Sequence, residues 1–500
     1  MSETTTTREL PFSSKMGFGV GQLGEGITMV VFGTFTLFFF NQIIGVSATL
    51  TATALAIAIG FDAVSDPIAG SISDRLKSRW GRRLPLMASS SVPLALSVIA
   101  LFNPPSGMHE LFYFFWLLVF AILARLFLTL YHVPHMALGA EIATDYTDRT
   151  RVFSYSQAFS TLGTAAFAFL MYTFVFPTPE DGTHGLLRAA GYPQLAAIAA
   201  VGIVISISLC VWGTLKEVPY MPVWEPEPER LGPRRVWREV REALGSRSYR
   251  MLLSVMVVTL LVLGIEGTFM AYLYVHFWEL DTEQMRWLGP VGLVGLPISV
   301  MVIPQLTKRF DKRRLMAVLG ACVIINMNIL IVLRLFTDLL PENGETLLFA
   351  LFLVSSFVGG LLAPAMLVTF NSMFADVADE LEYREGVRQE GIIYSARSFV
   401  AKAAGSLATV IGGIALDLIS FPRGAAVGDI APETIYHLGL IAGPPAMIIG
   451  LAGLSFYLWY DLSRERVAEI AEALNQRKEL AASPETAPHS AESASDRGAI

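Results

Sequence analysis

The chain holds about twelve continuous apolar runs, each long enough to cross a lipid bilayer. A helix needs ~20 predominantly apolar residues to span the hydrocarbon core. The runs lie at 16–42, 48–72, 84–103, 109–142, 152–177, 189–214, 249–279, 284–307, 314–338, 345–375, 391–420 and 434–461. They are continuous rather than alternating, so membrane helices are expected and a β-barrel is not. Only 16% of the 500 residues are charged and 53% are hydrophobic, where a soluble domain carries ~25% charged residues. The mean hydropathy is +0.54. Lipid is therefore the solvent, which excludes a soluble enzyme, a nucleic-acid binder and a disulfide scaffold. Cys210 and Cys322 both sit inside apolar runs, so no disulfide framework follows. Residues 1–15 are polar, with no apolar core of a cleavable signal peptide. The first run is expected to act as the targeting signal.

Basic residues fix the expected orientation. The link after run two carries Arg75, Lys77, Arg79, Arg82 and Arg83. The link after run six carries eight Lys/Arg from Lys216 to Arg250, and that after run eight carries Lys308, Arg309, Lys312, Arg313 and Arg314. The alternate links hold Arg188, Arg286, Arg334 and Arg423. All the basic links fall on one side if both termini are cytoplasmic, in a multi-pass protein of the plasma (bacterial inner) membrane.

The basic links recur, and so do two acidic, Arg-punctuated segments, 141–151 and 376–388, at an offset of about 235 residues. The expected layout is all-α: a cytoplasmic N-terminus (1–15), a six-helix bundle (16–214), a cytoplasmic linker (215–248), a second six-helix bundle (249–461) and a cytoplasmic tail (462–500). The tail begins with an amphipathic helix and ends in disorder.

Ionisable side chains inside membrane spans cost ~2.5–3.5 kcal/mol each at a helix centre on insertion scales, and mark ion or substrate paths. The runs contain Glu25, Asp62, Asp66, Arg125, His132, His135, Glu266, Arg397 and Lys402. Asp62 and Asp66 are four apart, on one helix face. Two poorly solvated carboxylates repel unless a cation or proton joins them, so they form a candidate site for Na⁺ or H⁺ and would be the metal ligands if Na⁺ is the ion. The alternative is a structural bridge to Lys402. Lys402 is a mobile point charge suited to coupling. Arg125 and His132 share a face of run four, as a helix-to-helix ion pair or a substrate-binding group. Glu25 and Glu266 open the two halves and are expected to line the cavity or to pair with Arg125 or Arg397. Four acids against three bases leave the core one positive charge short, which one monovalent cation or proton would balance. Glu141, Asp145, Arg149, Asp376, Asp379, Arg384 and Arg388 are candidate inner-gate residues, closing one side by salt bridges between halves.

Gly19, Gly21 and Gly24 satisfy GxGxxG, but no strand precedes them and the run lies in a span, so close helix packing is the expected role. No Walker, HExxH or GxSxG motif occurs. Neither ATP, a cofactor nor catalysis is expected.

FDAVSDPIAG (61–70), DRLKSRWGRRLP (74–85), YHVPHMALGAEIATDYTDRTR (131–151) and FADVADELEYREGVRQEGIIYSARSFVAK (374–402) resemble segments of the melibiose-permease-like glycoside–pentoside–hexuronide:cation symporters of the major facilitator superfamily. The resemblance implies a twelve-helix major facilitator fold in two pseudo-symmetric halves. It also implies cation binding at Asp62 and Asp66, and coupling through Lys402. The sugar-site positions depart: a first-helix aspartate is Gly26 with Glu25 beside it, a fourth-helix aspartate is His132, and a fifth-helix arginine is Gln157. The expected function is cation-coupled symport of a glycoside, sugar or uronide by a monomer, with no nucleic-acid partner. A lysolipid or other amphipathic solute is the alternative, and a non-transporting sensor or scaffold is the third reading.

Overall fold

The computed structural model describes residues 10–143, 145–180, 182–221, 241, 244–386 and 390–482. Most of the expected linker, the end of the tail and Arg388 lie outside the described residues. Among the described residues, twelve helices are long and apolar enough to cross a membrane. Spans one to six are Phe12–Ile43, Ala48–Arg75, Leu84–Leu101, Glu110–Ile142, Thr147–Val175 and Gly191–Leu215. Spans seven to twelve are Arg247–Phe277, Thr282–Thr307, Lys312–Phe336, Thr346–Arg384, Ile393–Leu418 and Pro432–Trp459. A further helix, Arg464–Ala482, follows and buries Ile470 and Leu474.

Several helices run beyond the apolar runs because local signals, not hydropathy, end them. Asp145 accepts hydrogen bonds from the amides of Thr147 and Asp148, so span five starts inside the segment read as an acidic link. Span ten continues through Asp376 and Asp379, and its helix stops at Gly386, whose φ of 74° is left-handed.

The halves repeat each other. Span one packs on five and six, two on four, and three on four and six. Correspondingly, seven packs on eleven and twelve, eight on ten, and nine on ten and twelve. Span one ends in a π-helical turn at Phe39–Ile43 and span seven in one at Leu273–Phe277. Span two meets span eleven, and span five meets span eight, so the two cross-half interfaces are also equivalent. The glycines of span one serve close packing: a Cβ on Gly21 would overlap the Tyr131 hydroxyl, and one on Gly26 would lie 2.5 Å from the Ser160 carbonyl oxygen.

Polar contacts between the halves seal the end away from the basic links. Asp417 of span eleven accepts from the amides of Ala48 and Thr49 at 3.2 and 2.8 Å, capping span two from the opposite half. Tyr272 donates to Asn41 at 2.9 Å. Glu283 accepts from the Thr178 amide and hydroxyl at 3.0 and 2.7 Å. Arg423 reaches the Gly45 carbonyl and Glu110. Losing a cap costs ~1 kcal/mol. Asp417→Ala should therefore shift the population about fivefold towards states open at this end. Spin labels placed across the seal would report that as a longer distance; an unchanged distance distribution would show that the cap does not hold the seal.

Candidate functional site

Among the described residues, three spaces that share wall residues lie between and within the halves. One of about 390 Å³ is bounded by spans one, two, four, seven and eleven, including Phe32, Arg125, Tyr272 and Thr409. A second of about 540 Å³ lies among spans one, five, seven, eight and ten, including Gln157, Thr161, Thr164, Tyr274 and Arg286. The third, about 240 Å³, enters the second half beside Glu266 and Asn328. All three share the wall of span seven between Glu266 and Tyr274, and span ten lines the second and third.

The interior charges are organised by span two. Arg125 donates to Asp62 at 2.9 Å and stands over the Phe32 ring, with its guanidinium carbon 5.5 Å from the centroid. Lys402 of span eleven is ion-paired with Asp66, joining the two halves within the membrane. Thr129 donates to the other Asp66 oxygen at 3.1 Å. Each aspartate therefore has its own cationic partner. Their environments differ: the Asp62 side chain is 8% exposed and that of Asp66 33%. Asp66 is the more accessible of the two carboxylates. Asp62 keeps one buried carboxylate oxygen, Oδ1, without a hydrogen-bond partner.

Glu25 pairs with His132, Oε2 to Nδ1 at 2.8 Å, instead of with Arg125, which Asp62 already holds. Glu266 accepts from Asn328 at 2.5 Å and lines the third space. Arg397 is not its partner. The Arg397 guanidinium lies over the rings of Phe374, Phe370 and Tyr394, at 4.7, 5.7 and 5.9 Å, outside the three spaces. It lines none of these three spaces, because its span position puts it among aromatic side chains. His135 is fully buried, bonded to the Phe18 carbonyl oxygen at 3.0 Å and stacked on the Phe18 ring, so its role is packing. Gln157 lies on the cavity wall with Thr161 and Thr164.

Two of the gate residues, Glu141 and Asp376, are held by ion pairs within their own half, where bridges between halves were expected. Glu141 binds Arg82 and Arg83 at 2.7 and 2.8 Å, and Asp376 binds Lys312 at 2.6 Å. These are matching clasps: the acid at the end of the fourth helix of each half holds the basic link after the second. Asp145 caps span five, Arg149 is exposed, and Arg384 lies 3.9 Å from Glu380, one turn away. Asp379 is half-buried on span ten.

Sequence reasoning missed Thr129 and Arg286. Thr129 looked like one more tolerated polar residue, and only its spacing from Arg125, four residues on the same helix face, hinted at its place. Arg286 was counted with a link but lies on span eight and faces the 540 Å³ space.

Residues 17–464 match the family model described as MFS/sugar transport protein. Among curated relatives, the inner membrane symporter YicJ of Escherichia coli is 23% identical over 94% of this chain and 96% of its own. The putative glycoside/cation symporter YagG of Escherichia coli is 23% identical over 97% and 99%. A D-xylose-proton symporter structure superposes with a TM-score of 0.58 at 14% identity, covering 91% of this chain and 98% of the other, which shows a shared fold.

Proposed function

Because the chain belongs to the family of MFS/sugar transport proteins and is a multi-pass membrane transporter rather than an enzyme, we propose that it is a cation-coupled symporter of a sugar or glycoside. The coupling ion is Na⁺ or H⁺, and the halves rock around a central site by alternating access. The bias of the basic links supports both termini facing the cytoplasm of a bacterial inner membrane. The observation that carries this reading is the Lys402–Asp66 pair between the two halves, beside the Asp62–Arg125 pair. A cation arriving at Asp66 competes with Lys402 for the same carboxylate. Thr129 Oγ1 and the unpartnered Asp62 Oδ1 are oxygen ligands suited to Na⁺; a proton needs only the carboxylate. Release of Lys402 loosens the tie between halves and lets the loaded carrier change its open side.

Uptake of radiolabelled glycosides and monosaccharides into proteoliposomes tests this. Accumulation is expected only with an inward Na⁺ or proton gradient. Accumulation that ignores both gradients would rule out coupling, and an absence of uptake for every sugar, with uptake of a lysolipid, would move the solute class.

A further inference from the structure

We propose that Arg286 is the anion-recognition group of the cavity, so that the transported solute carries an oxyanion on a polyhydroxylated body. This rests on the symport reading above and extends it to the solute. Two arginines line the three spaces, Arg125 and Arg286. Asp62 holds Arg125, and Asp66 holds the neighbouring Lys402. Arg286 has no hydrogen-bond or ion-pair partner among the described residues, and its Nε is buried without an acceptor. Its guanidinium carbon lies 5.7 Å from the ring centroid of its neighbour Trp287. A cation in a membrane-embedded wall is costly unless something compensates it.

The acids nearest in the chain are committed elsewhere. Glu283, one helical turn earlier, faces Arg286's side of the helix, yet both its oxygens accept from Thr178 across the seal. Asp281 caps span eight in a reciprocal box with Gln284. Arg286 also lies near the N-terminus of its helix, where the positive end of the backbone dipole repels a cation and favours an anion. The facing wall, from span five, presents Gln157, Ser160, Thr161 and Thr164. Those amide and hydroxyl groups match the hydroxyls of a sugar ring, and the planar guanidinium fork matches a carboxylate, sulfonate or phosphate.

The test is ligand binding to purified full-length protein, read by thermal stabilisation and titration calorimetry in Na⁺ and at two pH values. The probes are D-glucuronate, D-galacturonate, D-glucose 6-phosphate, D-glucose and D-galactose. At least one acid should bind ten or more times tighter than its uncharged counterpart, and the stronger of the carboxylate and phosphate arms identifies the oxyanion. Arg286→Gln should weaken that acid about 10- to 100-fold, the worth of a charge-assisted contact, and weaken the uncharged sugars far less. Arg286→Lys should recover part of the loss and serves if Arg286→Gln folds poorly. Equal binding of acid and neutral sugars, equal acid binding by Arg286→Gln, or binding of no acid would each overturn the assignment. A failure of the symport reading looks different: ligand binding would then ignore Na⁺ and pH and persist in Asp62→Asn/Asp66→Asn.

Discussion

Asp66→Asn should abolish concentrative uptake while sparing exchange of solute across a membrane with equal solute on both sides. Asparagine keeps the shape and accepts the Thr129 hydrogen bond, but it neither carries a cation nor balances Lys402. Cation binding then no longer favours solute binding. Coupling of this kind is worth ~1–3 kcal/mol, so the solute affinity gained on adding cation, about 5–150-fold in the wild type, should vanish. The carrier itself still rocks, because the outer seal and the helix packing do not involve Asp66. Lys402→Ala should show the same uncoupling with the opposite charge imbalance. Proteoliposome uptake and counterflow measured side by side decide the matter: retention of gradient-driven accumulation by Asp66→Asn would exclude Asp66 as the coupling carboxylate.

Gly360→Val should be the most damaging single change to stability outside the charged network. In span ten, a Cβ on Gly360 would overlap the Gly292 carbonyl oxygen of span eight, and one on Gly295 would lie 2.6 Å from the Leu361 amide nitrogen and the Phe357 carbonyl oxygen. The obstruction is backbone on both sides, so no rotamer change relieves it. Overpacking of a closed site costs ~1–3 kcal/mol, and more where backbone must move. Both helices also wall the 540 Å³ space, so the variant should lose solute binding together with melting temperature. Gly359→Val is the control, since a Cβ there meets only the Asn326 amide at 3.7 Å. Equal melting temperatures for the two variants would refute close backbone packing at Gly360.

Hydropathy made the twelve spans legible because a lipid solvent demands long apolar helices whatever their neighbours. The basic links made the two-half repeat legible for a similar reason: charge placement relative to a membrane is a one-dimensional property. The acidic pair and Lys402 stood out because ionisable groups in such runs are rare. Pairing was another matter. Glu25, Arg125 and His132 offered several combinations, and the separation of helices in space selected Asp62–Arg125 and Glu25–His132. Glu141 and Asp376 suggested bridges between halves, but each lies against the basic link of its own half. Arg397 and Lys402 are five residues apart on one helix, and the turn between them separates an aromatic nest from an ion pair.

The sequence by itself determined the membrane class, the number of spans, their expected direction and the handful of charges that need an interior explanation. These follow from transfer energies summed residue by residue along the chain. Tertiary structure alone decided which carboxylate meets which cation, which end is sealed and which arginine faces the cavity without a partner. Those outcomes depend on distances of a few ångströms between helices far apart in the chain, where electrostatic energy changes most steeply and no local pattern records it.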